Sequence, residues 1–149
     1  MTDRLVPDVM INKVQSIQRC IRRARDEYLQ AGEAFATDYT RQDAAILNVT
    51  RACEQAIDLA NYIIRQSRLG IPTSSANSFS LLAAGGVIDT DLTSRLIAMV
   101  GFRNIAVHQY EDLELAIVET VIQSGLDDLL SFTDAVMVYT SARDTHVAT

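Results

Sequence analysis

The sequence predicts an all-α protein, a four-helix bundle with one short additional helix. Apolar residues recur at spacings of three and four over long stretches, and no segment of comparable length alternates with period two. The chain of 149 residues holds only two prolines and six glycines, the residues that most often interrupt helices and form turns. A length of this size fits one domain. We therefore expect a single helical domain over residues 1–149, with about 141–149 as a flexible tail.

The first helix is predicted from about Asp8 to Ala31. Its apolar residues fall on one face, at spacings of four and three: Met10, Val14, Ile17, Ile21, Ala24 and Tyr28. Gly32 and the polar stretch 37–40 are expected to end it and to start the next helix. Thr40, with Asp43 three residues on, resembles a capping box, although Asp is a weaker partner there than Glu.

The second helix is predicted from about Arg41 to Arg68, where Gly70-Ile71-Pro72 stops it. Two neighbouring stripes of this helix are apolar: Ala45, Val49, Ala52, Ala56, Leu59 and Ile63 in one, and Ile46, Cys53, Ile57, Ala60 and Ile64 in the other. A helix that is apolar over so wide an arc is expected at the centre of a bundle or at an interface with a partner.

Three further elements follow. After a loop through Ser74, Ser75 and Asn77, a short helix is predicted to begin near Phe79 and to end at Gly85-Gly86. Asp89-Thr90-Asp91 is expected to open a fourth helix. A last long helix is predicted from about Asp112 to Thr140, with its core positions at Leu115, Val118, Ile122, Leu129, Phe132 and Val136.

Composition narrows the classes of function. The net charge of −6 argues against a protein that coats nucleic acid through bulk electrostatics. No apolar run approaches the length of a membrane span, and the N-terminus begins no signal peptide, so the expected location is the cytoplasm. Cys20 and Cys53 have no CxxC spacing and are interpreted as reduced core residues.

The most informative segment is Met99–Tyr110, which contains Arg103, Asn104 and His108. Arg103 falls on the apolar stripe of the fourth helix, where a charged side chain must be paired or functional. Asn104 and His108, four residues apart, share a helix face. Arg103 and His108 are five residues apart, so on one ideal helix they point about 140° from each other. If both act on one phosphate, either the helix ends between them or they come from different subunits.

These residue types suit attack of a ribose 2′-OH on the adjacent phosphate. An imidazole, with an unperturbed pKa of about 6.5, can accept and donate the protons, and Arg103 can stabilise negative charge on the phosphate. No metal is required for this chemistry. With two histidines, one of them His146 in the expected tail, the sequence has no cluster with metal-ligand spacing.

A structural interpretation of the same residues stays open. Arg103 could form a buried ion pair with Glu54 or Asp58 of the second helix, and His108 could cap the end of its own helix. Tyr110 could be an amphipathic residue at the edge of the bundle.

The order of features resembles the HepT family of the HEPN superfamily. The segment Gly101–Tyr110 looks like the family's Arg-x4-His-x-Tyr motif with Asn after the Arg, and the segment Ala52–Ala60 looks like its central helix. Ile71-Pro72-Thr73, Phe79, Leu82 and Gly86-Val87-Ile88 resemble its connecting loop and short helix. The resemblance spans roughly residues 10–135.

The resemblance implies a homodimeric toxin ribonuclease that cuts RNA, either tRNA or mRNA, without a metal or other cofactor. Arg103 would stabilise the phosphate, His108 would transfer protons and Asn104 would orient one of them. The implied partner is a small MNT-type nucleotidyltransferase antitoxin, which would transfer AMP to Tyr110 and so block the cleft. Two alternatives remain: a non-catalytic subunit that binds nucleotide or docks the transferase, and a helical interaction protein whose polar cluster is structural.

Overall fold

The computed structural model describes the backbone of residues 6–148 and the side chains of 6–143. The elements are α1 (Asp8–Ala31), a 3-10 helix (Gly32–Ala36), α2 (Tyr39–Ser67), α3 (Ser75–Ala84), α4 (Thr90–His108), a 3-10 turn (Tyr110–Asp112), α5 (Leu115–Thr120), a π turn (Val121–Gly125) and α6 (Leu126–Ala148). No strand occurs within residues 6–148. Helical dihedral angles continue from α5 through the π turn into α6, so these three form one long helix. The predicted four-helix bundle with one short extra helix is confirmed.

α1 and α2 pack along each other and contribute half of the buried apolar residues of the core. α1 has the predicted bounds, and all its predicted core positions are buried except Tyr28, which is half-buried. Every residue of the two predicted apolar stripes of α2 is buried. α2 also contacts α3, α4 and α6, so the expectation of a central helix is confirmed. Cys20 and Cys53 are both buried free thiols.

Two helix starts differ from the prediction because other side chains cap the helices. Asp38 caps α2 by accepting from Arg41 N at 3.1 Å, so the helix starts at Tyr39 and the capping box of Thr40 with Asp43 was wrong. Ser74 caps α3 by accepting from Asn77 N at 3.0 Å, so α3 starts four residues before Phe79. Ser and Asp accept such bonds from the otherwise unpaired amides of a first turn.

The long C-terminal helix also has other bounds than predicted. Tyr110–Asp112 forms a separate 3-10 turn, and α5 starts only at Leu115. Leu115 is half-buried, and the other five predicted core positions are buried. The helix continues to Ala148 rather than ending at Thr140. Flexibility of the segment 141–149 stays a prediction, and the side chain of His146 lies outside the described residues.

α4 carries the informative segment. Asp89 caps it, as expected, by accepting from Leu92 N at 2.7 Å, and the helix runs without a break through His108. Leu92, Leu96 and Phe102 anchor its inner face in the core. None of the helices in the described part of the chain has the length and apolar character that a membrane crossing needs.

Candidate active site

Arg103 lies in the last two turns of α4 and is tied to α2. Its Nη2 donates to Glu54 Oε2 at 3.1 Å, and its Nη1 donates to Asn104 Oδ1 at 3.0 Å. The Arg103 side chain is 25% exposed and that of Glu54 is 43% exposed, so the pair is at the edge of the core rather than within it. The ion pair that the structural interpretation allowed is therefore present, with Glu54 and not Asp58 as the partner.

The guanidinium of Arg103 is fixed but not fully used. Its Nε is buried and has no hydrogen-bond partner among the described residues. An arginine side chain offers five N–H donors, and Glu54 and Asn104 take two of them. The Nη protons that remain can bind an anion such as a phosphate.

Cys53 lies directly behind this ion pair. Its thiol contacts Met99 O at 3.8 Å, across the packing of α2 against α4. Burial raises the pKa of Cys53 to about 12; the Glu54 charge also raises it and the Arg103 charge lowers it. A thiol in this state is a packing residue and not a nucleophile.

His108 is the last residue of α4 and is exposed. It has no hydrogen bond or ion pair with any other described residue. The helix ends after it because Gln109 leaves helical geometry while its N–H still bonds Ile105 O at 2.8 Å. An exposed imidazole without a partner among the described residues has both ring nitrogens available for proton transfer.

The helix does not end between Arg103 and His108. Arg103 and His108 could act on one phosphate if the helix ended between them or if they came from different subunits. The structure excludes the first of these possibilities. Within one chain the two side chains leave α4 about 140° apart, whereas Asn104 and His108 lie on one face, as expected. The alternative, that the two residues come from different subunits, stays a prediction.

Tyr110 stands in the 3-10 turn that follows α4 and is held against α2. Its hydroxyl donates to Asp43 Oδ1. Burial raises the pKa of Tyr110 to about 12, with further contributions from the hydrogen bond to Asp43 and from the charge of that carboxylate. Tyr110 as a whole is 39% exposed, so part of the residue is accessible from solvent while its proton is held by Asp43.

Two open cavities flank this segment. The smaller, of about 330 Å³, lies beside Tyr110 between the start of α2 and the start of α5. The larger, of about 730 Å³, is an apolar groove between α4 and the segment formed by α5, the π turn and α6. Ile105 on one wall is 39% exposed and Ile117 on the other is 50% exposed. Among the described residues, no three His, Cys, Asp or Glu side chains are placed to hold a metal ion.

Sequence reasoning missed the role of Asp43 and treated Glu54 only as one possible partner of Arg103. A signal was present: the two residues are eleven apart on α2, which is about 20° from exact alignment on a helix. Two carboxylates on one face of α2, next to its apolar stripes, could have been expected to meet the polar groups of the motif.

Comparisons with known proteins agree with the resemblance seen in the sequence. A family model described as ribonuclease HepT-like matches residues 17–136. The mRNA nuclease HepT of Shewanella oneidensis is 49% identical over 129 residues, which cover 87% of this chain and 96% of that protein.

Solved structures match equally well. A tri-AMPylated Shewanella oneidensis HEPN toxin in complex with an MNT antitoxin has a TM-score of 0.84 and 47% identity, covering 89% of this chain and 99% of that one. A toxin-antitoxin structure with AMP-PNP has a TM-score of 0.83 and 46% identity, covering 88% and 99%. The family model spans most of the chain and the relatives align over nearly their full length, so this chain belongs to the HepT-like ribonuclease family of HEPN proteins.

Proposed function

We propose that this chain is the toxin of a toxin-antitoxin pair, a metal-independent endoribonuclease that acts on cytoplasmic mRNA or tRNA. Membership of the ribonuclease family supports the reaction class. The name of the Shewanella relative, an mRNA nuclease, favours mRNA over tRNA. The observation that carries the proposal is the arrangement at the end of α4, where a fixed guanidinium and a free imidazole stand at the surface.

His108 transfers protons in this reaction. As the ribose 2′-OH attacks the adjacent phosphorus, its proton passes to a neutral imidazole, and the departing 5′-oxygen takes a proton. The bond from phosphorus to that 5′-oxygen breaks, and a 2′,3′-cyclic phosphate remains. His108 has no competing partner among the described residues, which leaves both ring nitrogens available for proton transfer.

Arg103 stabilises the negative charge that grows on the phosphate during the attack. Glu54 and Asn104 hold its guanidinium from two sides, so that it does not need to reorganise when the charge forms. Asn104 therefore acts as a positioning residue for Arg103.

We propose that the active form is a homodimer. The two side chains diverge on α4, and a second copy placed against this helix would bring Arg103 of one subunit near His108 of the other. Ile105 and Val107, between them in the sequence, are 39% and 45% exposed. Such apolar residues beside a polar motif suit a covered surface. Ile105→Glu should yield a monomer with little RNA cleavage, measured by sedimentation and by a cleavage assay; a fully active dimer would contradict this arrangement.

The partner is an MNT-type nucleotidyltransferase that silences the toxin by transferring AMP to Tyr110. The homologous toxin solved in complex with an MNT antitoxin is AMPylated. Tyr110 is two residues from His108 and partly exposed. An attached AMP adds negative charge and bulk beside the site, which repels and excludes RNA.

Expression in cells tests this proposal. We compare wild type, His108→Ala, Tyr110→Phe and, as a matched control, Gln109→Ala, which alters an exposed neighbour. Growth arrest with RNA cleavage is expected in all except His108→Ala, and co-expressed transferase should rescue wild type but not Tyr110→Phe. Normal growth and intact RNA in all four, with soluble protein verified, would refute the nuclease and favour a nucleotide-binding or docking subunit.

A further inference from the structure

The hydroxyl of Tyr110 has one hydrogen-bond partner among the described residues, the carboxylate of Asp43. Asp43 has no other partner there. It lies near the start of α2, 67 residues earlier in the chain, so the bond exists only in the folded protein. Resting on the proposed silencing by AMP transfer, we propose that Asp43 is the general base that accepts the proton of Tyr110 when this tyrosine attacks the nucleotide.

The geometry has the form that a general base requires. The acceptor must be within hydrogen-bond reach of the proton that it removes, and Asp43 Oδ1 meets this condition before any partner binds. Asp43 is exposed, so the proton can pass on from its carboxyl to solvent. The contact places the base on the toxin itself, not on the transferase.

Tyr110 needs such a base because its phenol does not ionise by itself near neutral pH. Burial, the hydrogen bond to Asp43 and the charge of Asp43 together raise the pKa of Tyr110 to about 12. Only about one phenol in 10⁵ is ionised at pH 7 when the pKa is near 12. The neutral phenol must therefore lose its proton during the attack.

The step balances as follows. Tyr110 Oη attacks the α-phosphorus of a nucleoside triphosphate supplied by the transferase. A bond forms between that oxygen and the α-phosphorus, and the bond from the α-phosphorus to pyrophosphate breaks. The phenolic proton moves to Asp43 Oδ1 and then to solvent, and pyrophosphate leaves. The products are AMP joined to Tyr110 and free pyrophosphate.

The surroundings of the hydroxyl offer a matched control. Among the described residues that line the cavity beside Tyr110, the ionisable groups are Asp43 from α2, and Tyr110 itself and Glu111 from the 3-10 turn. α5 contributes only the apolar Leu115 and Val118. Glu111 has the same charge as Asp43 and lines the same cavity but has no bond to the hydroxyl. Glu111→Gln therefore removes a charge there without removing the base.

The test is the rate of AMP transfer to purified toxin by its MNT-type nucleotidyltransferase with ATP, followed by mass spectrometry at pH 7. Asp43→Asn should slow the transfer by about 100-fold or more, in the range of general-base catalysis. Glu111→Gln should stay near the wild-type rate, and Asp43→Glu should recover part of the loss. RNA cleavage without the transferase should be the same in wild type and Asp43→Asn.

A pH profile separates a base from a residue that merely shapes the surface. Without Asp43, the transfer must wait for ionised phenol, so its rate in Asp43→Asn should rise by about tenfold per pH unit below the pKa of Tyr110. The ratio of the Asp43→Asn rate to the wild-type rate should therefore climb as the pH rises. A constant ratio, or an unimpaired Asp43→Asn, overturns the assignment of Asp43 while leaving the silencing intact. If the wild type is not modified, the proposed silencing by AMP transfer is overturned. The RNA cleavage assay then tests the proposed nuclease activity by itself.

Discussion

Asp43 and Glu54 lie on one face of α2, and each carboxylate binds one residue of the motif. Asp43 accepts from Tyr110, and Glu54 accepts from Arg103. The two residues are eleven positions apart on α2, which corresponds to roughly 16 Å along the helix axis. α2 thus holds both Arg103, the proposed phosphate-binding residue, and Tyr110, the proposed AMP acceptor, and the two contacts can be tested separately.

Glu54→Gln should lower kcat for RNA cleavage without raising KM. Loss of the charged partner leaves the Arg103 guanidinium less well oriented, and misplacement of a catalytic group costs up to about 100-fold. Removing a negative charge beside the phosphate site should favour RNA binding. The matched control is Asp58→Asn, one turn further along α2 and without an ion pair to Arg103. Equal effects of both variants on kcat would contradict a specific role for Glu54.

Arg103→Lys should reduce RNA cleavage by roughly 100-fold or more, since lysine keeps the charge but loses the planar fork that binds phosphate. Stability should change by less than about 1 kcal/mol, because the pair with Glu54 is partly exposed to solvent. Cleavage rates and melting temperatures measure the two effects. Arg95→Lys is the control on the same helix, where the arginine pairs with Asp91 and Asp128. A large drop in melting temperature with unchanged activity would support the structural interpretation.

The contact between Tyr110 and Asp43 should stabilise the fold below pH 10 and lose this effect above it. The pKa of Tyr110 rises from 10.0 to about 12 on folding, so the folded state holds this proton more tightly than the unfolded state. As the pH passes from 10 to 12, the unfolded state loses the proton first, and stability falls. Denaturant unfolding measures the free energy of unfolding of wild type and of Tyr110→Phe. The difference between the two should be constant below pH 10, and by pH 12 the wild type should have lost stability relative to Tyr110→Phe. A pH-independent difference would argue that the bond is absent in solution.

Gly101→Ala should raise the free energy of unfolding by about 0.5–1 kcal/mol, because alanine costs less backbone entropy within a helix. Gly101 is exposed within α4, and a Cβ there would meet no atom within 4 Å. The expected rise in melting temperature is about 1–4 °C. Gly125→Ala should raise the melting temperature less, because the added Cβ would lie 3.1 Å from Met99 Sδ. A fall in melting temperature for Gly101→Ala would contradict the prediction and would indicate that a second copy packs closely on this face.

Predictions that depended on periodicity agreed well with the structure. The bounds of α1 and both apolar stripes of α2 were confirmed, because each follows from the 3.6-residue repeat of a single helix. Helix starts that depend on a single capping residue were harder to predict. Asp38 and Ser74 cap α2 and α3, and several nearby residues have side chains that can cap a helix in the same way. The 3-10 turn at Tyr110–Asp112 has no periodic signal, so the last helix was predicted to start too early.

The sequence by itself determined that the chain is a helical bundle with a central apolar helix, and it placed Arg103, Asn104, His108 and Tyr110 in one segment. Only the tertiary structure decided that α4 continues unbroken through His108, that Glu54 rather than Asp58 meets Arg103, and that Tyr110 reaches Asp43. A sequence pattern defines which residues share a face of one helix. Contacts between elements depend on how two helices cross and how far one is shifted along the other, and these follow from the packing of the whole core.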